Sequence, residues 1–169
     1  AWADKNGTIT SAYAWVVLES GAYPSAPLSG SASAVFAPYR IENAQIDAYD
    51  VVVNKPKVAA YRAPGAPHVA FAAEQVVDEI AEALGMRPID LRIKNAAIEG
   101  DRRVDGVMNG SIGSLETMEA MKAHPHYKSS LSKKTVDSRV RGRGVGMGFC
   151  RNNSGPASVV LSVNPDGTV

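Results

Sequence analysis

The most constraining feature of the sequence is an apolar stripe with helical spacing near its middle. The stripe consists of Val69, Ala73, Val76, Val77, Ile80 and Leu84. Pro67 suits a first helical turn, and Gly85 suits the position after the last. The pattern predicts an amphipathic helix over residues 67–84. We expect four aliphatic residues, Val76, Val77, Ile80 and Leu84, to be buried and three acidic ones to be exposed: Asp78, Glu79 and Glu82.

A second helix follows after a very short connection. Pro88 opens it, and apolar residues then recur at a spacing of four until Gly100 ends the pattern. Two helices joined so tightly, over residues 67–84 and 88–97, form a hairpin that must bury its apolar face on another layer. We therefore expect the hairpin to pack on a sheet.

Four segments have the composition of strands. Residues 8–18 and 42–54 are rich in β-branched and aromatic side chains, and residues 144–151 and 158–163 have a similar character. Together with the helical hairpin they predict an α+β fold with a mainly antiparallel or mixed sheet. Asn6-Gly7 favours a tight turn ahead of the first strand.

Two other regions are informative. Residues 20–33 are rich in Gly, Ala, Ser and Pro, which predicts a loop that runs close to another backbone or a ligand. A short helix is expected near residues 31–36. Residues 115–123 predict a modest amphipathic helix in which Met118 and Met121 pack rather than bind a metal.

Both ends of the sequence resemble parts of hairpins. A turn at residues 4–7 has only three residues before it, and residues 164–169 form a turn toward a partner for the strand at 158–163. A domain rarely ends inside a hairpin, because a strand edge would stay unpaired. We expect truncation at both ends, with self-association of the isolated chain through its strand edges. The alternative is a complete domain with short edge strands.

Composition narrows the functional classes. Apolar residues make up 45% of the chain, charged residues 21%, and the formal net charge is +1, which argues against disorder and against a nucleic-acid binder. The basic run at residues 128–143 is interpreted as a solvated linker. Cys150 is the single cysteine, so no intrachain disulfide forms. No apolar run approaches the roughly 20 residues of a membrane span. A cytoplasmic protein without membrane partners is expected.

Reactive residues form no recognisable catalytic pattern. His124 and His126 resemble a metal pair, but no acidic or cysteine partner lies at a ligand spacing, so we expect no metal ligand. Neither a Ser-His-Asp or Cys-His arrangement nor a phosphate or dinucleotide loop is present. We name no catalytic residue.

One segment is a candidate binding site. Residues 60–68, with the sequence Ala-Tyr-Arg-Ala-Pro-Gly-Ala-Pro-His, follow a predicted strand and open the predicted helix. A strand-loop-helix junction of small residues presents unpaired N–H groups to an anion. An ordinary tight crossover explains the same residues equally well.

The same segment resembles a block of the molybdenum hydroxylases, the xanthine dehydrogenase/aldehyde oxidase family. Those large subunits have an aromatic-Arg-Gly/Ala-x-Gly loop, a helix with an E-x3-D-E-like pattern, and then L-G-x-x-P-x-x-L-R-x-K-N. The matching residues follow in the same order: Tyr61 to Gly65, Glu74, Asp78-Glu79, Leu84-Gly85, Pro88, Leu91-Arg92 and Lys94-Asn95. The chain therefore resembles a fragment of the molybdopterin-binding large subunit.

The resemblance implies a domain division and a reaction. Residues 1–100 correspond to the C-terminal part of the first molybdopterin-binding domain, 101–142 to a linker with a short helix, and 143–169 to the start of the second domain. These enzymes oxidise an aldehyde or heteroaromatic substrate with water-derived oxygen. They use a molybdenum–pterin, in some members a cytosine dinucleotide, with iron–sulfur clusters and FAD on partner domains or subunits.

The resemblance also implies roles for single residues. The molybdenum–pterin centre is contacted by Tyr61, Arg62, Ala63 and Gly65, and Pro64 lines the substrate channel. Carbon-monoxide-oxidising members have a cysteine where Ala63 lies. Purine-oxidising members have an aromatic residue at the Pro64 position and an arginine near Gly30, so both activities are disfavoured.

The family's general base has no counterpart in these residues. Its glutamate corresponds to a position beyond Val169, and its glycine-rich cofactor loop to one before Ala1, so we expect the chain alone to be inactive. The alternative to an enzyme fragment is a non-catalytic α+β interaction or scaffold module.

Overall fold

The computed structural model describes residues 1–131, 139–150 and 156–169. In chain order, the elements of this part are β1 (Trp2–Ala3), β2 (Ile9–Gly21), α1 (Leu28–Ala34), β3 (Asn43–Val52), α2 (Ala66–Ala83), α3 (Pro88–Lys94), α4 (Ser114–Ala123) and α5 (Pro125–Lys128). The fold is α+β, as predicted, with helices beside a three-stranded sheet of order β1-β2-β3.

The sheet is mixed, and its long pair of strands is parallel. β2 and β3 pair in parallel from Ser11↔Asn43 to Gly21↔Val52, whereas the antiparallel partner of β2 is the two-residue β1. The prediction of a mainly antiparallel or mixed sheet is confirmed in its mixed form, and the longer of the two pairings is parallel. The segment between β2 and β3, which contains α1, returns the chain to the starting end of the sheet, as a crossover between parallel strands must.

Two predicted strands do not form. Residues 144–150 and 158–163 have no strand pairing in the described part of the chain, and residue 151 lies outside it. Val159 and Val160 are 86% and 94% exposed. β-Branched residues favour a strand only where a neighbour supplies hydrogen bonds and cover. The turn beyond them does form, because the N–H of Asn164 donates to the carbonyl of Thr168 at 2.8 Å.

The turn ahead of β2 forms as the sequence predicts. The N–H of Asp4 donates to the carbonyl of Thr8 at 2.9 Å, and Gly7 has a φ of +85°. The Asp4 carboxylate accepts the N–H groups of Thr8 and Asn6 at 2.9 and 2.8 Å. The hydrogen bond from Thr8 is the main reason that the pKa of Asp4 lies below its ordinary value.

The predicted helical hairpin is confirmed, but one residue that was predicted to be buried is exposed. Val77 is buried, and Ile80 and Leu84 are half-buried, but Val76 is 38% exposed. The buried residues of α2 are Val69, Val77 and Ala81, so Val76, about 100° around the helix from Val77, falls outside this face. The three acidic residues of the predicted polar face are exposed: Asp78, Glu79 and Glu82.

The shorter helices lie close to the positions predicted from the sequence. α1 begins three residues before the predicted short helix, and α4 occupies the predicted residues 115–123 with one more at its start. Met118 is 2% exposed, as expected for packing, whereas Met121 is 42% exposed. α3 ends at Lys94 rather than at residue 97, because Asn95 leaves the helical conformation.

Asn95 joins the helical hairpin to the sheet. Its Oδ1 accepts the N–H of Ile9 at 2.8 Å, and its Nδ2 donates to the carbonyls of Gly7 and Leu91 at 2.8 Å each. The residue is 2% exposed. The buried side-chain amide of Asn95 therefore supplies the hydrogen-bond acceptor that a backbone carbonyl would otherwise provide at the start of β2.

The structure of the hydrophobic core predicts that two apolar residues contribute very differently to the free energy of unfolding. Leu91 is fully buried against Tyr39, Val77 and Ala81, whereas Phe71 on α2 is 73% exposed. Leu91→Ala should lower the free energy of unfolding by about 2–5 kcal/mol, since it leaves a cavity. Phe71→Ala should change it by less than about 1 kcal/mol. Chemical denaturation of both variants measures the difference, and equal effects would contradict the core described above.

Candidate functional site

Two loops leave the same edge of the sheet. Because β2 and β3 are parallel, their carboxyl ends at Gly21 and Val52 lie side by side. From these ends the chain continues into a first loop, residues 22–27, and a second loop, residues 53–65. Ligands of open α/β sheets bind outside the carboxyl ends of parallel strands, where loop backbone is free of the sheet. This edge is therefore the natural place for a ligand.

The two loops are bonded to each other at their base. The N–H of Ala22 donates to the carbonyl of Lys55 at 2.9 Å, and the N–H of Val58 donates to that of Ser20 at 3.1 Å. Gly21 has a φ of +77°, and a Cβ there would lie 2.1 Å from the carbonyl oxygen of Pro56. The prediction that residues 20–33 run close to another backbone is confirmed.

A carboxylate at the end of β3 fixes the first loop. The side chain of Asp50 accepts the N–H of Ser25 at 2.7 Å and that of Ala26 at 3.2 Å. The bond from Ser25 is the main reason that the pKa of Asp50 lies below its ordinary value. Lys57 of the second loop donates to the carbonyl of Ser25 at 3.0 Å, so that both loops share this anchor.

The second loop lies against the start of α1. Gly65 is buried with a φ of +83°, and a Cβ on it would lie 2.0 Å from the Oγ of Ser31. A Cβ on Gly30 would lie 2.9 Å from the carbonyl oxygen of Pro64. Two glycines therefore allow an approach that no other residue would permit.

The backbone of the second loop is unusual at the residues singled out by the sequence. Arg62 and Ala63 have φ angles of 37° and 51°, a region that residues with a Cβ seldom adopt. Such conformations persist where the surrounding structure imposes them, and they cluster at functional sites. The N–H groups of Arg62, Ala63 and Gly65 have no hydrogen-bond acceptor among the described residues. These amides can receive an oxygen or nitrogen acceptor of a ligand.

The side chains of the loop leave its backbone accessible. Tyr61 is 90% exposed and Arg62 is exposed, while Ala63 and Pro64 are half-buried. Arg62 has no ion pair with a carboxylate in the part of the chain that the structure describes. The loop thus combines free N–H groups, small residues and one uncompensated positive charge.

Two of the histidines contact each other at the start of α5. The Nδ1 of His124 accepts the N–H of His126 at 3.1 Å, which is a local cap of α5. Among the residues described by the structure, no three His, Cys, Asp or Glu side chains lie close enough to hold a metal ion.

A buried ionic network lies further along α2. The Nε of Arg92 donates to Oε2 of Glu74 at 2.8 Å, and its Nη1 donates to Oδ1 of Asp78 at 2.7 Å. Oε2 of Glu74 also accepts the N–H of Met147 at 2.7 Å, and Oε1 accepts the hydroxyl of Tyr39. Burial, reinforced by the Glu74 charge, raises the pKa of Tyr39 well above its ordinary value.

Sequence reasoning found these charged residues as motif positions but missed the network that they form. A usable signal was present, since Arg92 lies between Leu91 and Ile93 in an apolar stretch. A charge at such a position is buried only when it is paired.

Comparison with known proteins places these features in a family. Residues 2–96 match the molybdopterin cofactor-binding domain. The chain is 34% identical over 121 residues to the nicotinate dehydrogenase large molybdopterin subunit of Eubacterium barkeri, an alignment that covers 69% of the chain and 28% of that subunit. It is 33% identical over 139 residues to the aldehyde oxidoreductase of Megalodesulfovibrio gigas, covering 79% of the chain and 15% of that protein.

A solved structure agrees with the sequence comparisons. The aldehyde oxidoreductase from Desulfovibrio desulfuricans is 32% identical and superposes with a TM-score of 0.65, over 74% of this chain and 14% of that one. The fold and the loop pair define an α+β module with two loops at the carboxyl ends of its parallel strands. The chain belongs to the molybdopterin cofactor-binding domain family of xanthine dehydrogenase/aldehyde oxidoreductase large subunits. It spans about a quarter or less of the length of these relatives. No helix in the described ranges is long and apolar enough to cross a bilayer.

The contact between Gly65 and α1 can be tested against a matched glycine. Gly65→Ala adds a Cβ at a positive φ and against Ser31, whereas Gly85→Ala adds one at a φ of +64° with no atom within 4 Å. Gly85→Ala should cost about 1 kcal/mol of stability through backbone strain alone. Gly65→Ala should cost at least about 1 kcal/mol more, because overpacking adds to the strain. Denaturant titration compares the two, and equal losses would show that the loop is not packed on α1.

Proposed function

We propose that this chain forms one wall of the molybdenum–pterin site of a large subunit that oxidises an aldehyde or a heteroaromatic compound. The observation that supports the proposal most is the loop at residues 61–65. The N–H groups of Arg62, Ala63 and Gly65 lack acceptors among the described residues, Ala63 and Gly65 are small, and the loop leaves the edge where two parallel strands end. The match to the molybdopterin cofactor-binding domain supports a molybdenum–pterin as the ligand of this loop.

The residues of the loop suit such a cofactor. Backbone N–H groups of Arg62, Ala63 and Gly65 would donate hydrogen bonds to its oxygen or nitrogen atoms, and the Arg62 guanidinium would attract its negative charge. Tyr61, whose side chain is 90% exposed, would also contact the cofactor. When bound, the cofactor accepts electrons from the substrate while water supplies the oxygen. The chain's own contribution is to bind and orient it.

We propose a role in substrate selection for the same loop. We propose that Pro64 lines the substrate channel, so that this position offers a small apolar surface. The names of two relatives, a nicotinate dehydrogenase and an aldehyde oxidoreductase, are compatible with a heteroaromatic or an aldehyde substrate. Ala63 and Pro64 do not favour carbon monoxide or purine oxidation, since those members have other residues there.

The remaining assignments extend the proposal to the whole protein. We propose that iron–sulfur clusters and FAD lie on partner domains or subunits, and that the pterin is present with or without a cytosine dinucleotide. Residues 1–100, 101–142 and 143–169 are proposed as the end of one cofactor-binding domain, a linker, and the start of the next. A cytoplasmic location is proposed for the complex.

We also propose that the 169-residue chain has no activity by itself. A pterin cofactor is held by contacts that converge from several segments, and one loop contributes too few to offset the freedom lost on binding. Resemblance to the family assigns no general base to these residues.

The role of Arg62 can be tested in a large subunit that contains this chain. Arg62→Ala should lower molybdenum content or turnover by about tenfold, as expected for the loss of a charged hydrogen bond, while the melting temperature stays unchanged. Arg40→Ala removes an equally exposed arginine outside the loop and should have no such effect. Metal analysis and dye-reduction assays measure the outcome. Normal metal content and turnover in a folded Arg62→Ala variant would remove the side chain from the site.

A further inference from the structure

A basic cleft lies at the other end of α2 from the candidate cofactor loop. It has a volume of about 520 Å³, and its charged lining residues are Asp78, Arg87, Lys122, Lys128 and Arg143. The 18 residues of α2 extend about 27 Å, so the cleft and residues 61–65 are separate sites. The four cations come from the α2–α3 connection, α4, α5 and the extended segment after residue 139. The fold therefore assembles this cleft from distant parts of the chain.

The carboxylates at the cleft do not balance its cations. Asp90 is shared between Arg87 at 2.6 Å and Lys122 at 2.8 Å. Arg92 pairs with both Asp78 and Glu74, so these three side chains together retain one negative charge. Four cations thus face two net negative charges, which leaves a surplus of two positive charges. Like charges brought this close repel each other unless an anion joins them.

Arg143 is held in place with part of its hydrogen-bonding capacity unused. Its Nη1 donates to the carbonyls of Tyr127 and Ser129 at 2.6 and 2.9 Å, and its Nη2 donates to the Oγ of Ser129 at 3.0 Å. All three acceptors are uncharged. Its Nε is buried and has no hydrogen-bond partner. The guanidinium is therefore fixed in position, while its charge remains uncompensated by any carboxylate in the described part of the chain.

We propose that this cleft binds a compact soluble anion that carries two or more phosphate charges. A planar guanidinium and lysine ammonium groups together match phosphate oxygens in charge and geometry. The volume lies within the range of small-molecule sites, which is about 300–1,000 Å³. An acidic peptide fits less well, because the cations converge on one cavity instead of following an extended surface. The proposal does not depend on the cofactor assigned to the other end of α2.

The test measures pyrophosphate binding to the 169-residue chain at low salt by isothermal titration calorimetry. One pyrophosphate per chain should bind. Lys128→Gln and Arg87→Gln should each weaken the affinity about tenfold, since each removes a charge-assisted contact. Lys128 is exposed and Arg87 lies in a connection, so both variants should keep the fold. Thermal melts of the free variants check this.

Two matched variants separate a specific site from the effect of overall charge. Lys5→Gln removes an exposed positive charge in the turn before β2, and Arg40→Gln removes one from the segment before β3. Both should leave the pyrophosphate affinity within twofold of the unaltered chain. Equal weakening by all four variants, or no binding at millimolar pyrophosphate, would overturn the proposal. Binding of a polyglutamate peptide or of vesicles containing phosphatidic acid, without pyrophosphate binding, would also overturn it.

Discussion

The fold depends on one buried charge and its partners. Arg92 is fully buried in α3, and an unpaired guanidinium there would destabilise the structure by several kcal/mol. Glu74 and Asp78 on α2 compensate it, and in doing so they fix the two helices in one register. The same Glu74 carboxylate accepts hydrogen bonds from Tyr39 and from the backbone of Met147. The Glu74 side chain therefore joins three parts of the chain that are distant in sequence, which contain Tyr39, Arg92 and Met147. These contacts set the direction of α2.

The direction of α2 in turn places the loop that precedes it. The helix begins immediately after Gly65, whose missing side chain lets the loop lie against Ser31 of α1. Parallel pairing of β2 with β3 brings the other loop to the same edge. The positive φ angles of Arg62 and Ala63 are compatible with a loop constrained from both sides. The free N–H groups at this position are the groups to which we propose that the cofactor binds.

Local patterns were predictable from the sequence, and distant pairings were not. The helix over residues 67–84 was predictable because its apolar period is repeated over more than four turns. The parallel pairing was missed because it depends on where a crossover returns the chain, and no local pattern encodes that. The strands expected at 144–151 and 158–163 failed for a related reason, since strand composition does not supply a partner. In the candidate site, composition and resemblance identified residues 61–65, but nothing in the sequence signals a left-handed backbone at Arg62.

The central claim is that the backbone of residues 61–65 contacts the molybdenum–pterin cofactor. The most direct measurement is a crystal structure, with the cofactor bound, of a large subunit that contains this chain. We predict that at least one N–H group of Arg62, Ala63 or Gly65 lies within about 3.5 Å of a cofactor oxygen or nitrogen atom. A cofactor bound elsewhere, with all three N–H groups paired inside the protein or open to water, would contradict it.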